Sequence, residues 1–415
     1  MKKRLSGIKT FLEKRFSDER GSSTILLAIL LTTMITITVG FVILAKDKGE
    51  MGKIDAIMAV SGRSVMSEYS VPLKERYGLF AVDMTPVELG KRLEFYAKIN
   101  DSKLNMGNMS VKTSKYSLGN FNHLEEEIVE YYKFLVAKNF LEKDSKPDTS
   151  SNKESKYRTL KNTNVIEMLP SNKFTDNKFN ADEVADGFKN PNGFFDKSKK
   201  NVIINSYILE VFSHNMKNFK QETFFKNEVE YIIAGKKSDK YNLDVVKNRI
   251  VLARNVINFG TLMKSPSMLA KVDLVASLAG PASSAAKLAL AEAWALAESI
   301  NDYKVLIHGG KIPNVKTQSD WCVDLKGVAE GRGQGYIDNH CYKGMDYDNY
   351  LQILLGFCNR EEKLARMLDL MQINIQGTYD RDFLAITSQT GFSYSVNING
   401  RKYKYEEMYG ESKED

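Results

Sequence analysis

The chain has 415 residues, 43% of them hydrophobic and 10% aromatic, enough apolar material for a folded core and too much for a wholly disordered protein. Its formal charge of +7 sits mainly in the first 20 residues, where seven Lys/Arg face three Asp/Glu, leaving 52 bases against 49 acids in the rest. A nearly neutral body excludes a polyanion-binding surface, and with it nucleic acid as the expected partner.

In chain order, residues 1–21 form a basic tail in which Leu5, Ile8, Leu12 and Phe16 recur at three- and four-residue steps. That spacing suits either a short amphipathic helix on an inner leaflet or a frayed tail that only fixes topology. Residues 22–45 then run uncharged from Ser22 to Ala45. At ~1.5 Å per helical residue they reach roughly 36 Å, enough to cross a hydrocarbon core of about 30 Å, and the run reads as a single transmembrane helix. Lys and Arg are denser before it than after it, which predicts a cytoplasmic N-terminus and an exported body. The run is longer than a signal-peptide core and leads into Ala45-Lys46-Asp47-Lys48 with no small-x-small site, so an uncleaved anchor is expected. Two later apolar stretches carry internal charges, Arg254 in one and Lys287, Glu292 and Glu298 in the other, and read as buried helices of a soluble body.

Residues 46–71 continue the helix as a stalk, with Met51, Ile54, Met58, Val65, Met66 and Tyr69 along one stripe; that stripe either packs on partner helices or docks on its own body. The 72–141 segment is α+β: a strand over Tyr77–Asp83, a helix over Val87–Ile99, a second strand over Ser110–Leu118 and a helix from Leu124 to Leu141. Residues 142–200 are rich in Lys, Asp, Asn and Ser without period, and the first half at least is expected to be a disordered or surface insertion, with Ala181–Phe188 as a small docked piece. Residues 201–375 form a helical body. Its expected marks are Gly235 as a C-cap, Asn242 as the N-cap of a helix to Met263, Pro281 opening a helix through Ile300, Asp346 opening another to about Phe357, and Asn359 with Glu362 starting the last. Residues 376–415 end the chain with a β-hairpin around Asn399-Gly400, whose strand is expected to pair with Leu79–Val82. The expected class is thus α+β, mainly helical, with an N-terminal transmembrane helix and a small antiparallel sheet.

No nucleophile or paired acid/base arrangement is legible, and no cofactor or metal is expected. Cys322 and Cys341 are a possible disulfide in an exported body, while Cys322, His340 and Cys341 lack the spacing of a zinc site. Gly331–Gly335 fits neither dinucleotide nor phosphate-loop spacing. His123, His214 and His308 are scattered singles. Thr32, Thr33, Thr36 and Thr38 are the candidates for helix packing within the span, the alternative being lipid exposure with their hydroxyls bonded to their own helix.

Several motifs together resemble a known family. These are Asp18-Glu19-Arg20-Gly21-Ser22 before the span, Ser67-Glu68-Tyr69 and Tyr77-Gly78-Leu79-Phe80 after it, then Glu230–Lys236, Asn242, Arg254, Trp294-Ala295, Glu298-Ser299, Asp302, Tyr347–Leu351 and Arg366–Asp369. The pattern resembles a family of Gram-positive membrane proteins of unknown function encoded with tight-adherence (Tad, Flp-type) pilus machinery, and the N-terminus is similar to TadE/TadG pseudopilin-like proteins. The resemblance implies a non-enzymatic, membrane-anchored, pseudopilin-like or accessory component of a Tad-type pilus or secretion assembly. Its partners would be the lipid bilayer and other assembly proteins reached through the N-terminal helix, with no nucleic acid and no identified small molecule. It also marks Gly21-Ser22 as a possible processing position, although the site five residues past Gly21, where pilin precursors carry Glu, is Leu26. An exported, tethered binding or sensor domain is the alternative.

Overall fold

The computed structural model describes residues 19–141, 169–174, 179–196, 199–217, 222–278, 284–331, 335–337 and 343–409. The basic tail up to residue 18, residues 142–168 and Pro281 lie outside the described residues, as do His340 and Cys341. The chain is mainly helical with a small antiparallel sheet. Contacts divide it into two units: the first takes residues up to Ser67, Leu89–Ser110 and Ser395–Tyr405, and the second takes Glu68–Glu88, Val111–Tyr394 and the residues from Glu406 on.

The first unit is organised by α1, one helix from Glu19 to Met66 of 48 residues, or about 72 Å. Its apolar N-terminal half is wholly exposed, whereas Ile54, Ile57, Met58, Ser61 and Val65 further along are buried. The helix stops at Met66, short of the expected residue 71, and Ser64 and Ser67 near its end bond preceding carbonyls through their side chains. Helix α3 (Pro86–Asn100) buries Leu89, Leu93 and Ala97, and the Lys53–Asp101 ion pair at 2.6 Å ties its end to α1.

Between them, α2 (Val71–Tyr77) corrects the sequence reading. Pro72 sits in its first turn, where a missing N–H costs nothing, and Gly78 ends it at φ +70°. Tyr77–Asp83 is therefore not a strand; only Val82 forms a bridge, to Gln389. The strand expected over Ser110–Leu118 lies earlier, as β1 (Met106–Lys112). It is β1 that pairs with β2 (Gly391–Ile398), and β2 in turn pairs with β3 (Arg401–Met408). The hairpin turn is as expected: Asn399 and Gly400 both have positive φ, +51° and +79°, as a type I′ turn requires.

The second unit packs helices around one long core. Helix α4 (Phe121–Leu141) is followed by α5 (Ala181–Lys189), capped by Asn180, whose Val184, Ala185 and Phe188 enter that core. Helices α6 (Pro191–Asp196) and α7 (Lys199–Val211) lead to α8 (Glu228–Ala234), which Gly235 terminates at φ +65°. Helix α9 (Asp239–Met263) starts earlier than expected, with Ser238 and not Asn242 at its N-cap position. Asn242 lies inside it, and its side chain bonds both the N–H and the C=O of Lys236. Sequence periodicity missed α10 (Pro266–Leu278); α11 (Ser284–Ile307) packs against α9 and continues seven residues past the expected Ile300. A short α12 (Leu325–Ala329) joins α10 and α11 around Trp294 and Trp321. Helix α13 (Tyr347–Phe357) starts with a capping box from Asp346 and Asn349. Helix α14 (Arg360–Thr378), capped by Asn359 as the sequence indicated, is buried without interruption from Glu362 to Ile375.

Candidate functional site

Two places in the chain carry chemistry that a folded core does not need: the exposed apolar half of α1, and the ionisable groups buried in the second unit.

Between Ile25 and Leu44, α1 exposes fourteen large apolar side chains, with Leu27 and Phe41 each 67% exposed. Burying a side chain of this kind is worth ~1.5–3 kcal/mol, so leaving the set in water would cost on the order of 20 kcal/mol or more. That cost is large beside the typical net stability of a whole domain, roughly 5–15 kcal/mol, so a membrane or partner surface that covers the segment is strongly favoured. Among the described residues it is the single helix long and apolar enough to cross a membrane. Thr32, Thr33, Thr36 and Thr38 each donate to a carbonyl three or four residues back on α1, at 2.7–3.0 Å, which leaves their polar atoms compatible with hydrocarbon. Gly21 and Ser22 lie in the first turn of this helix.

The buried groups form two networks. In one, Arg254 on α9 pairs with Asp302 on α11 at 2.9 Å and donates further to Asn258 and to the Pro313 and Asn314 carbonyls. Lys316 joins Asp302 at 2.5 Å and also contacts Glu298, whose carboxylate accepts the Val323 N–H at 2.8 Å. Arg254, Asp302 and Glu298 are 0% exposed and Lys316 3%, and two cations balance two anions. Burial by itself raises the Asp302 carboxyl, but Arg254 and Lys316 hold it below the ordinary carboxylate range. The arrangement is closed: each charge is spent on another.

The second network surrounds α8. Glu228 accepts the Ser213 N–H and hydroxyl, both at 2.9 Å, and a bond from Asn374 at 2.6 Å; Tyr231 donates to Asp369 at 2.8 Å. Glu230 accepts the Tyr347 hydroxyl at 2.8 Å and the Asn215 N–H at 3.0 Å through one oxygen, while its other oxygen is buried with no hydrogen-bond partner. Arg366 donates to the last carbonyls of α8, those of Ile232 and Ile233, and pairs with Glu362. Lys363 is held by neutral acceptors, among them Asn205 at 2.7 Å. Burial dominates the titration here, pushing Glu230 up to about 7 and Asp369 up to about 6, and Lys363 down to about 8. It also pushes His214, 3.5 Å from Asp348, down to about 4. Perturbed groups of this kind mark functional sites or structural ion networks. These face one another across helix contacts, and among the described residues Glu362 and Arg366 also border a small cleft.

A small cleft beside α5 and α14, about 60 Å³, is lined by Glu183, Arg249, Cys358, Glu362 and Arg366 among others. It is well below the ~300–1,000 Å³ of ligand pockets. Cys358 donates to the Leu354 carbonyl, and burial pushes its thiol up, away from nucleophilic form. Cys322 lies after a short 3-10 turn and its N–H donates to Glu298; its proposed disulfide partner, Cys341, is outside the described residues. His123 lies 3.4 Å from Glu127, and His308 bonds the Lys304 carbonyl. No group of three or more His, Cys, Asp or Glu is arranged to hold a metal among the described residues.

Several of the polar motif residues quoted from the body, Glu230, Tyr231, Arg254, Glu298, Ser299, Asp302, Tyr347, Arg366 and Asp369, are members of these networks. A family of unknown function (DUF5702) matches residues 125–400. The chain belongs to that family. The match covers the networks and the hairpin's start, and leaves α1 outside it. No curated protein and no solved structure matches the chain.

The sequence offered one signal for the first network, charges placed inside otherwise apolar helices at Arg254 and Glu298. Their partner Lys316 lies on a loop that no periodicity singles out.

Proposed function

We propose that this chain is a membrane-anchored, non-enzymatic, pseudopilin-like or accessory component of a Tad-type pilus or secretion assembly, with its N-terminus in the cytoplasm and its body outside the membrane. The observation that carries this reading is the continuity of α1. Its first half presents only lipid-compatible surface, and its second half, without a break, buries Ile54, Ile57, Met58 and Val65. The stalk stripe thus docks on the chain's own body, and the exposed apolar half is the part of the rod left for helix packing in a membrane-rooted assembly. The basic residues 1–20 support the inward orientation. Burial of these ionisable groups across helix contacts favours a structural over a catalytic use of the body, because a working acid or base has to face substrate.

Shearing pili from cells and probing the fibre fraction tests the reading: the chain, or its partner complex, should co-purify with fibres or with the assembly platform. A protein that stays in the membrane, with no assembly protein bound, in cells making intact pili would sink it. The second reading, a tethered binding or sensor domain, draws on the cleft beside Cys358, whose size suits a few waters or a small ion. A ligand-dependent rise in melting temperature would favour it.

A further inference from the structure

The hairpin turn grips α1 just beyond the end of the apolar run. Arg401 pairs with Asp47 at 2.7 Å, Asn399 donates to Glu50 at 2.9 Å and Tyr405 donates to Asp55 at 2.7 Å. Four residues of strand from Arg401 to Tyr405 span about 13 Å, and eight residues of helix from Asp47 to Asp55 span about 12 Å, so β3 runs alongside α1 with its turn toward the apolar end. Asp47 and Glu50 lie about 3 and 7.5 Å along the helix from Ala45, within the roughly 5–7 Å headgroup layer and its outer edge. The acids there are engaged by hairpin residues, while Lys46, Lys48 and Lys402 are exposed and Lys404 is exposed one strand pair further on.

The geometry points to a headgroup-docking face: the Asn399–Lys402 turn, together with Lys46 and Lys48, rests in the polar layer of the bilayer and binds the phosphates of anionic phospholipids. The helix supplies the depth and the hairpin supplies a second point of contact, so the pair fixes the angle between the rod and the membrane instead of leaving it free to tilt. Arg401 neutralises Asp47, which would otherwise repel those phosphates, while the Asn399 amide holds Glu50 against the turn without changing its charge. This rests on α1 being the membrane span.

Lysine footprinting of the intact chain tests it. The full-length protein is placed in nanodiscs of phosphatidylcholine alone and of phosphatidylcholine with one third phosphatidylglycerol, then treated briefly with a water-soluble acetylating reagent and digested for mass spectrometry. Lys402 is decisive, because Lys46 and Lys48 lie on the helix's own continuation. Its acetylation should slow by about fivefold in the anionic discs, the ratio expected for one basic residue at such a surface, and recover in high salt. Lys91, about 15 Å along α3 from Asp101, should react equally in both. A Lys402 that reacts equally in both discs while the chain remains disc-bound overturns the docking face and leaves the span standing. A chain that fails to enter discs at all overturns the span, and this inference with it.

Discussion

Glu230→Gln separates the energetics of the α8 network from everything else in the chain. The substitution keeps an oxygen to accept from Tyr347 and Asn215 and removes only the ability to ionise. Burial, with one carboxylate oxygen unpartnered, holds the folded proton up to about 7, against an ordinary value of 4.5. The folded chain therefore binds that proton more tightly than the unfolded chain does. Its contribution to stability is fully present below about pH 4.5, declines as the pH rises toward 7 and is gone above that, for a total on the order of 3 kcal/mol. Glutamine has no such slope. In detergent micelles, urea unfolding followed by the fluorescence of Trp294 and Trp321 should show the variant gaining on the parent steadily from pH 4.5 to 7.5, by about 3 kcal/mol in all. The difference between the two chains isolates Glu230 from His214, whose depressed value makes stability fall in the opposite direction, as pH drops from 6.5 toward 4. Parallel pH curves for parent and variant would refute the reasoning, since they would mean that Glu230 is solvated or already paired in solution.

Asp302→Asn strands Arg254 and Lys316 against a single buried carboxylate and should cost about 3–5 kcal/mol, read as a lowered urea midpoint; a loss under 1 kcal/mol would show the network to be hydrated. Gly235→Ala forces a side chain into a left-handed backbone and drives its Cβ into the Arg366 guanidinium, so a loss on the order of 2 kcal/mol is expected in the same assay. Lys363, held down to about 8 against an ordinary 10.5, should make the parent gain stability as pH rises from 8 to 10, and Lys363→Met should abolish that gain; an unchanged slope would place the amine in contact with water.

Local signals in the sequence located most elements whose ends are set by local chemistry. The Asn399-Gly400 turn needed positive φ at both residues, Gly235 needed the same at one, and Asp346 and Asn359 each satisfy orphan helix N–H groups from a few residues away. Readings failed where a distant partner decided the outcome. Leu79–Val82 has strand-like composition, yet the hairpin pairs with β1 and leaves Val82 a single bridge, since which strand fills an edge depends on the whole packing. Asn242 has the composition of a cap, and its side chain instead bonds the Lys236 backbone six residues before it. The cap of α14 was legible at Asn359, but its burial was not. A helix buried on every side has no polar stripe, and nothing local shows that Asn205, the α8 carbonyls and Tyr231 meet its Lys363, Arg366 and Asp369.

By itself, the sequence determined the apolar run of α1, its uneven basic flanks and the mainly helical class, because hydropathy and charge act on a membrane without needing any other part of the chain. Only the tertiary structure decided that Arg254 and Lys316 meet Asp302 and Glu298, that Glu230 and Lys363 are buried among neutral partners, and that the hairpin turn reaches back to the start of the stalk. All three depend on residues tens to hundreds of positions apart being brought within about 3 Å, a condition that burial enforces and that no local pattern encodes.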